Sequence, residues 1–284
     1  MITYQLDVNS GNLTLVSSIP LSTLPQQMVA DPSGDFLVVR AYNWDITETI
    51  LVNSVDPNSG SLYLVYSTES IADVRELAVD PSGRFLYAAL GFVNNDFPTV
   101  RTYNVDAQSG ALTFVADYSF GLQSISADSI TTDPAGVYAY VSECPGPLDT
   151  LAIDPISGTL SLVSQTYTES LNCNDVPDLG VLGSGLFAYL NRSGAGITGF
   201  TLGQNNGNAS DIPVSPFQGT GATTVLAVEG SGKFVYATES GNNDVQGYAI
   251  DQNTGVLTDL NTAPYPAGSS PFQIVTITQI KQPI

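Results

Sequence analysis

The stretch ELAVDPSGRFLYAALGFVNNDFPTVRTYNVDAQSGALTFV, residues 76–115, contains two turn signatures between four short apolar runs. In DPSG, Pro81 fixes φ at the second turn position, Asp80 can accept hydrogen bonds from the backbone that follows it, and Gly83 closes a type I turn. DAQSG, residues 106–110, has the form of a hairpin whose glycine adopts the left-handed conformation in a bulge. Two tight turns and one longer connection predict four strands in one antiparallel sheet.

This four-strand pattern recurs along the chain. The glycines of the second turn are Gly11, Gly60, Gly110, Gly158, Gly207 and Gly255, and those of the first turn are Gly34, Gly83, Gly136, Gly185 and Gly232. By subtraction, successive second-turn glycines lie 48–50 residues apart, and successive first-turn glycines lie 47–53 residues apart. A four-stranded unit that repeats every ~40–50 residues is typical of a β-propeller, which has 4–8 blades. We therefore predict an all-β chain that forms a single propeller domain over residues 1–284.

Each end of the chain holds part of a repeat. Residues 2–16 resemble the second half of a unit, and SPFQIVTI, residues 270–277, resembles the first strand of one. If residues 272–276 pair in the same blade as residues 2–6, the termini close the ring and leave no open sheet edge. This closure predicts six blades. The alternative is a seven-bladed parent from which an N-terminal part is absent.

Composition excludes several classes of partner. The 284 residues include 7 Lys and Arg against 27 Asp and Glu, a net charge of −20, and no histidine. Such a charge repels nucleic acid and anionic lipid surfaces. No apolar run approaches the ~20 residues of a membrane-spanning helix, and no signal segment opens the sequence, so we expect any export signal to be removed or omitted.

Metal and cofactor sites are not predicted either. Two cysteines without histidine cannot form a tetrahedral zinc site. The DVNSG, DPNSG and DQNTG turns resemble the start of a calcium loop but lack the later glutamate that such a loop requires.

The motifs DPSGRFLY, VDxxSGxL and SPFQIVTI resemble those of the β-propeller lactonase family, which includes phosphogluconolactonases and fungal muconate-lactonizing enzymes. The similarity extends over essentially the whole chain, and it implies a seven-bladed parent fold. These repeat turns are structural and are shared with non-enzymatic, surface-layer-like propellers. The resemblance therefore predicts architecture more specifically than chemistry.

The resemblance implies two catalytic candidates. AYVSEC, residues 139–144, is similar to the family segment in which a strand ends in Asn-Glu, and it places Glu143 at the functional glutamate. YLNRSGAGITGF, residues 189–200, is similar to the Asn-Arg-Gly-His segment, and it places Arg192 at the functional arginine. Glu143 could act as a general base, and Arg192 could hold a carboxylate, a phosphate or a developing oxyanion.

The family histidines are absent at the corresponding positions. Ser193 and Gly194 follow Asn-Arg here, and a second family histidine would align near Ser129. Proton transfer near neutral pH would therefore depend on carboxyl groups alone.

Strand alternation places the longer connections, between second and third strands and between blades, on one rim. Binding residues concentrate on such loops. We predict ligand-binding roles there for Arg40, Trp44, Arg75, Glu76, Asn191 and Glu239. The same rim also carries Glu48, Glu69, Asp73, Asp149 and Asp244.

The chain has two cysteines. Cys144 follows the second strand of the third unit, and Cys173 lies in the connection that leads from that unit to the fourth. Because both positions fall on the same rim, a disulfide separation of ~5.5 Å between Cα atoms is attainable. A disulfide predicts an extracellular or periplasmic protein, whereas two free thiols would fit the cytoplasm.

Two functions remain open. One is a secreted or surface module that binds a protein or glycan partner without the family's full catalytic set. The other is a hydrolase of a sugar-acid lactone, similar to phosphogluconolactonase, with its pocket on the long-loop rim.

Overall fold

The computed structural model describes residues 1–6, 13–20, 22–43, 47–69, 71–91, 99–120, 126–144, 146–167, 178–192, 196–219, 223–260, 264–269, 271 and 274. Within these ranges the chain contains strands and no helix. It divides into two compact units. Unit 1 comprises Met1–Leu122 and Asp154–Thr159, and unit 2 comprises Gln123–Ile153 and Leu160–Ile284.

Unit 1 contains eleven strands. They are β1 (Ile2–Leu6), β2 (Leu13–Ser18), β3 (Leu24–Ala30), β4 (Phe36–Tyr42), β5 (Thr47–Val55), β6 (Leu62–Ser67), β7 (Ile71–Ala72), β8 (Val74–Val79), β9 (Phe85–Leu90), β10 (Thr99–Val105) and β11 (Leu112–Ser119). Strands β3–β6 form blade 1 and strands β8–β11 form blade 2, each in sequence order. The short strand β7 pairs with β5, and β1 and β2 form a two-stranded sheet.

Unit 2 contains thirteen strands. They are β12 (Ser126–Thr132), β13 (Tyr138–Cys144), β14 (Leu148–Ile153), β15 (Leu160–Thr166), β16 (Leu179–Val181), β17 (Phe187–Arg192), β18 (Gly196–Leu202), β19 (Ala209–Asp211), β20 (Thr223–Val228), β21 (Phe234–Glu239), β22 (Asp244–Ile250), β23 (Leu257–Asp259) and β24 (Tyr265–Pro266). Blade 3 is β12–β15, blade 4 is β16–β19 and blade 5 is β20–β23, and β24 pairs with β22.

The prediction of a β-propeller with four-stranded antiparallel blades is confirmed, but the prediction of six blades is wrong. The described residues form five such blades. The repeat that begins the chain is present as the two-stranded sheet of β1 and β2, because its hairpin supplies only two strands. The proposed closing strand, residues 272–276, lies largely outside the described residues.

The two predicted turns form in blade 2 as the sequence indicates. Asp80 accepts hydrogen bonds at one carboxylate oxygen from the Ser82 amide (3.1 Å) and at the other from the Phe85 amide (2.7 Å). Gly83 has φ 73° and Gly110 has φ 70°, a region that favours glycine. In the second turn the Gly110 amide donates to the Asp106 carbonyl at 2.8 Å. The aspartates and glycines of the repeat therefore fix where each strand ends.

An aromatic side chain at the start of a second strand packs against a second-turn glycine in the following blade. A Cβ atom on Gly110 would lie 2.8 Å from the Phe36 ring, and one on Gly207 would lie 2.6 Å from the Tyr138 ring. The Phe187 ring stands in the same relation to Gly255, at 2.5 Å. These distances exclude a side chain at the glycine and couple neighbouring sheets within each unit.

Each blade has two ends that differ in construction. The tight turns lie at the end that we call the turn end. The second strand passes to the third at the opposite end, which we call the B–C end, and the connection between successive blades also reaches this end. The predicted site residues that fall within the described ranges lie at B–C ends.

Candidate functional site

One strand position distinguishes the B–C ends of unit 2 from those of unit 1. It is the seventh residue after the first-turn glycine, and it holds Glu143, Arg192 and Glu239 in blades 3, 4 and 5. In blades 1 and 2 the same position holds Ala41 and Leu90. Counting from the repeated glycines would have shown this equivalence from the sequence.

The predicted catalytic Glu143 forms a buried carboxyl pair with Asp149. The side chains are 4% and 0% exposed, and they hydrogen-bond to each other. Val141 lies opposite Asp149 in the register of β13 and β14, which places Glu143 and Asp149 diagonally on one face. The Gln165 amide donates to Asp149 Oδ1 at 3.1 Å.

Proton affinity in this pair is set by burial. Loss of solvent raises the pKa of Asp149 above its ordinary value, while the hydrogen bonds from Glu143 and Gln165 act in the opposite direction. A hydrogen bond between two carboxyl groups requires a proton on one of them. Two carboxyl groups in contact hold one proton between them rather than ionise together.

A second carboxyl pair lies in blade 5. Glu239 is 0% exposed and stands opposite Asp244 in the register of β21 and β22. The Asn242 side-chain amide donates to Glu239 Oε2 at 3.0 Å. Burial, the negative charge of Glu239 and a hydrogen bond to Glu239 together raise the pKa of Asp244. The nearby Glu239 carboxyl group therefore makes Asp244 harder to ionise than an isolated aspartate.

Gly219 and Tyr248 complete the surroundings of Glu239, and sequence reasoning missed both. A Cβ atom on Gly219 would lie 2.4 Å from Glu239 Oε1 and 3.0 Å from the Tyr248 hydroxyl oxygen. The hydroxyl is buried without a hydrogen-bond partner among the described residues, and burial with the charge of Glu239 raises the Tyr248 pKa. A larger residue than glycine at position 219 would displace the carboxylate.

In blade 4, Asn191 is 0% exposed, and its backbone N–H donates to the Asp178 carbonyl at 2.8 Å. The Asp178 carboxylate accepts the Leu226 amide at 2.8 Å. Desolvation nevertheless raises the pKa of Asp178 to about 6. Arg192 ends β17 opposite Gly196, and its side chain lies outside the described part of the chain.

Two of the predicted binding residues of unit 1, Arg40 and Arg75, form ion pairs with acidic side chains. Arg40 donates to the Val74 carbonyl and lies 3.6 Å from Glu48. Arg75 forms a two-point contact with Asp73, at 2.8 and 3.0 Å. Burial lowers the pKa of Arg40 and raises that of Glu48, although the ion pair opposes both shifts.

Glu76 also has a partner, since the Gln27 side-chain amide approaches Glu76 Oε1 at 3.4 Å. The same Gln27 side chain accepts the Leu77 amide at 2.8 Å. This group of contacts joins blades 1 and 2 within unit 1.

The predictions for Trp44 and for the two cysteines are tested only in part by the described residues. Trp44 and Cys173 lie outside the described residues. Cys144 is 1% exposed and is not a free cysteine, but its pairing with Cys173 stays a prediction.

Within the described ranges, no group of three or more histidine, cysteine or acidic residues is arranged to hold a metal ion. Over the same ranges, no helix has the length and apolar character needed to span a membrane.

Comparison with known proteins finds similar solved structures, whereas the comparisons of sequence find no match. No protein-family model and no curated protein matches the chain. A periplasmic gluconolactonase from Pseudomonas aeruginosa superposes with a TM-score of 0.75 and 18% identity, over 94% of this chain and 79% of that one. A candidate 6-phosphogluconolactonase from Bacteroides uniformis gives 0.65 and 16%, over 96% and 93%.

Propellers with other names are also similar. The Cps50 (Swd1) β-propeller domain from Myceliophteria thermophila has a TM-score of 0.64 and 15% identity, over 95% of this chain and 81% of that one. Identities this low establish fold rather than activity. The chain is a β-propeller whose structural neighbours include gluconolactonase and 6-phosphogluconolactonase-like propellers, as the repeat motifs predicted.

Proposed function

We propose that the chain hydrolyses a small sugar lactone at the B–C ends of unit 2, with Glu143 as the acid–base residue. The observation that carries this proposal is the buried pair of Glu143 and Asp149, which shares one proton. Such a pair supplies proton transfer in a chain without histidine. Ionisable groups perturbed by burial and by a specific partner concentrate at functional sites.

The carboxyl pair allows a balanced reaction. As water attacks the lactone carbonyl, Glu143 accepts the proton that the water loses and passes its own proton to Asp149. The carbon–ring oxygen bond then breaks, one proton returns to the leaving oxygen, and the pair recovers its single proton. The product is an open-chain hydroxy acid. In this scheme Arg192 stabilises the developing oxyanion, which is the role that the family resemblance gives it.

A direct assay tests the proposal. Purified protein is offered a panel of neutral and phosphorylated sugar lactones, and acid release is followed with a pH indicator. Glu143→Gln should lower kcat at least ~100-fold, the usual contribution of a positioned acid–base group. Glu69→Gln, at an exposed position of blade 1, is the control and should leave kcat unchanged. A wild-type protein that hydrolyses none of these lactones contradicts the proposal.

A binding module is the second candidate, and the outermost strands favour it. Tyr63, Leu64 and Val65 on β6 are 57%, 54% and 43% exposed, and Phe114 on β11 is 56% exposed. Consecutive exposed apolar residues on an edge strand are typical of surfaces that pair with another chain. We infer a protein partner, with self-association as its simplest form. Light scattering should then show assembly that Leu64→Lys weakens, and a monomer at all concentrations contradicts this candidate.

We also propose a location outside the cytoplasm. A periplasmic gluconolactonase is among the structural neighbours, and a bond between Cys144 and Cys173 would persist in an oxidising compartment. Mass spectrometry after alkylation without reduction should detect no modified cysteine. Two alkylated cysteines would contradict the disulfide and remove its support for export.

A further inference from the structure

A cavity of about 320 Å³ lies between the turn ends of blades 3 and 4, within unit 2. Its walls include Asp133 and Pro134 from blade 3, the rings of Tyr138 and Tyr140, and Gly183 and Gln204 from blade 4. Asp133 precedes β13, whereas Glu143 lies near the other end of that strand. The cavity is therefore separate from the proposed lactone site.

The cavity contains a local departure from the repeat. In blades 1, 2 and 3 the first turn contains Asp-Pro, with prolines at positions 32, 81 and 134. In blade 4 the corresponding residues are Leu182 and Gly183. A Cβ atom on Gly183 would meet no atom within 4 Å, so this wall has open space where the turns of blades 1, 2 and 3 have a proline ring. Blade 5 also has glycine at this position, Gly230.

The polar groups of the wall accept hydrogen bonds. The Gln204 side-chain amide donates to the Gly185 carbonyl at 2.7 Å and to the Leu202 carbonyl at 3.4 Å, which leaves its oxygen available. Asp133 contributes a carboxylate, whose Oδ1 also accepts the Val137 and Tyr138 backbone amides at 2.6 and 2.7 Å. Neither lysine nor arginine lines the cavity. An anionic ligand would find no positive charge here.

The aromatic walls and the negative charge favour a positively charged ligand. The Tyr138 ring is held by close packing against Gly207. The Asp133 charge reaches the Tyr140 hydroxyl, since together with burial it raises the Tyr140 pKa. Aromatic faces attract ammonium groups, and a nearby carboxylate strengthens that attraction.

From the cavity's walls and volume, we propose that it binds a small organic cation, an alkylammonium compound of about the size of choline. The ammonium group lies against Tyr138 with Asp133 as its counter-charge, and hydroxyl or amide donors of the ligand reach the Gln204 oxygen. This binding is independent of the proposed lactone hydrolysis.

Calorimetric or NMR titration with choline tests the proposal. Its neutral isostere, 3,3-dimethylbutan-1-ol, should bind at least ~5-fold more weakly, because it loses the attraction to the ring and the carboxylate. Equal affinity of the two compounds would show that the cavity selects shape rather than charge, and this would overturn the proposal. No binding of choline to the wild-type protein would do the same.

Substitutions at two positions locate the binding. Gly183→Pro gives blade 4 the proline that blades 1, 2 and 3 have at this position, and it should reduce choline affinity at least ~10-fold. Its melting temperature should be unchanged or higher, because proline fits this turn position. Tyr138→Leu should lose binding whereas Tyr138→Phe keeps it, since the ring carries the interaction. Unchanged affinity in folded Gly183→Pro protein would place choline elsewhere and reject this cavity.

Discussion

At their B–C ends, the two units arrange acidic side chains in different ways. Unit 1 pairs Glu48 with Arg40 and Asp73 with Arg75. In unit 2 the described contacts of Asp149 and Asp244 include other carboxyl groups, those of Glu143 and Glu239. An acid paired with a base stays charged and holds neighbouring strands, whereas an acid paired with an acid retains a proton that it can transfer.

The difference shows that one repeat can serve two purposes. The turns and strands are alike in both units, so the fold does not depend on which residues occupy the B–C ends. Buried acid–acid contacts weaken the folded state at neutral pH, which is a reason to expect them where function requires them.

The largest expected effect is in unit 1. Arg40→Met removes the cation beside Glu48, and the carboxylate remains largely buried with its Oε2 atom unpartnered among the described residues. We expect the free energy of unfolding to fall by about 3 kcal/mol, as for other broken buried ion pairs. Urea denaturation measures this loss. Arg40→Met combined with Glu48→Leu should recover much of it, and no recovery would show that Arg40 acts mainly through Val74.

A smaller effect should appear as pH changes, and unit 2 carries most of the groups responsible. Asp178 has a pKa of about 6 in the folded protein, above the value near 4 of an unfolded aspartate, so its protonated form stabilises the fold. This stabilisation is fully present below about pH 4. That contribution is lost as pH rises through about 6, because the folded state then holds a buried charge. Asp149 and Asp244 act in the same direction.

The turn aspartates act in the opposite direction. Hydrogen bonds from their own turns lower the pKa of Asp106 and Asp251, so their stabilisation is present above about pH 4 and is lost below it. The melting temperature should therefore be highest near pH 5. Asp178→Asn should remove about 2 kcal/mol of the change in stability between about pH 4 and pH 7. An unaltered pH profile in this variant would mean that Asp178 is not the group that titrates.

The smallest effect concerns the carboxyl pair itself. Asp149→Asn keeps the hydrogen bond to Glu143 but removes the need to bury a shared negative charge. At pH 7 we expect the free energy of unfolding to rise by about 1 kcal/mol. Chemical denaturation beside Glu69→Gln measures this gain. A loss of more than about 1 kcal/mol would show that ionised Asp149 supports the fold as Glu48 does in unit 1.

The blades could be predicted because their information is local. In blades 1, 2 and 3, an aspartate and a glycine a few residues apart determine each turn, as Asp80 with Gly83 and Asp106 with Gly110 illustrate. The number of blades could not be predicted in this way. The predicted sixth blade required pairing between residues at opposite ends of the sequence, and no local pattern specifies such pairing.

The partners of the charged residues were also beyond local reasoning. Arg40 and Arg75 were predicted to bind ligand. Sequence position does not reveal that each lies beside an acidic side chain, Glu48 and Asp73 respectively. Glu143 was identified from its segment, whereas the role of Asp149 follows from a diagonal contact between two strands. Tyr248 was missed because only the fold brings it beside Glu239.

The packing of Phe36 on Gly110, and of Phe187 on Gly255, has a consequence for how such a chain changes over generations. A glycine in one repeat and a ring in the repeat before it must change together, so single substitutions at either position are disfavoured. Duplication or deletion of a whole repeat keeps every ring matched with a glycine. The lineage can therefore lengthen or shorten by complete blades more easily than it can redesign the joint between two of them.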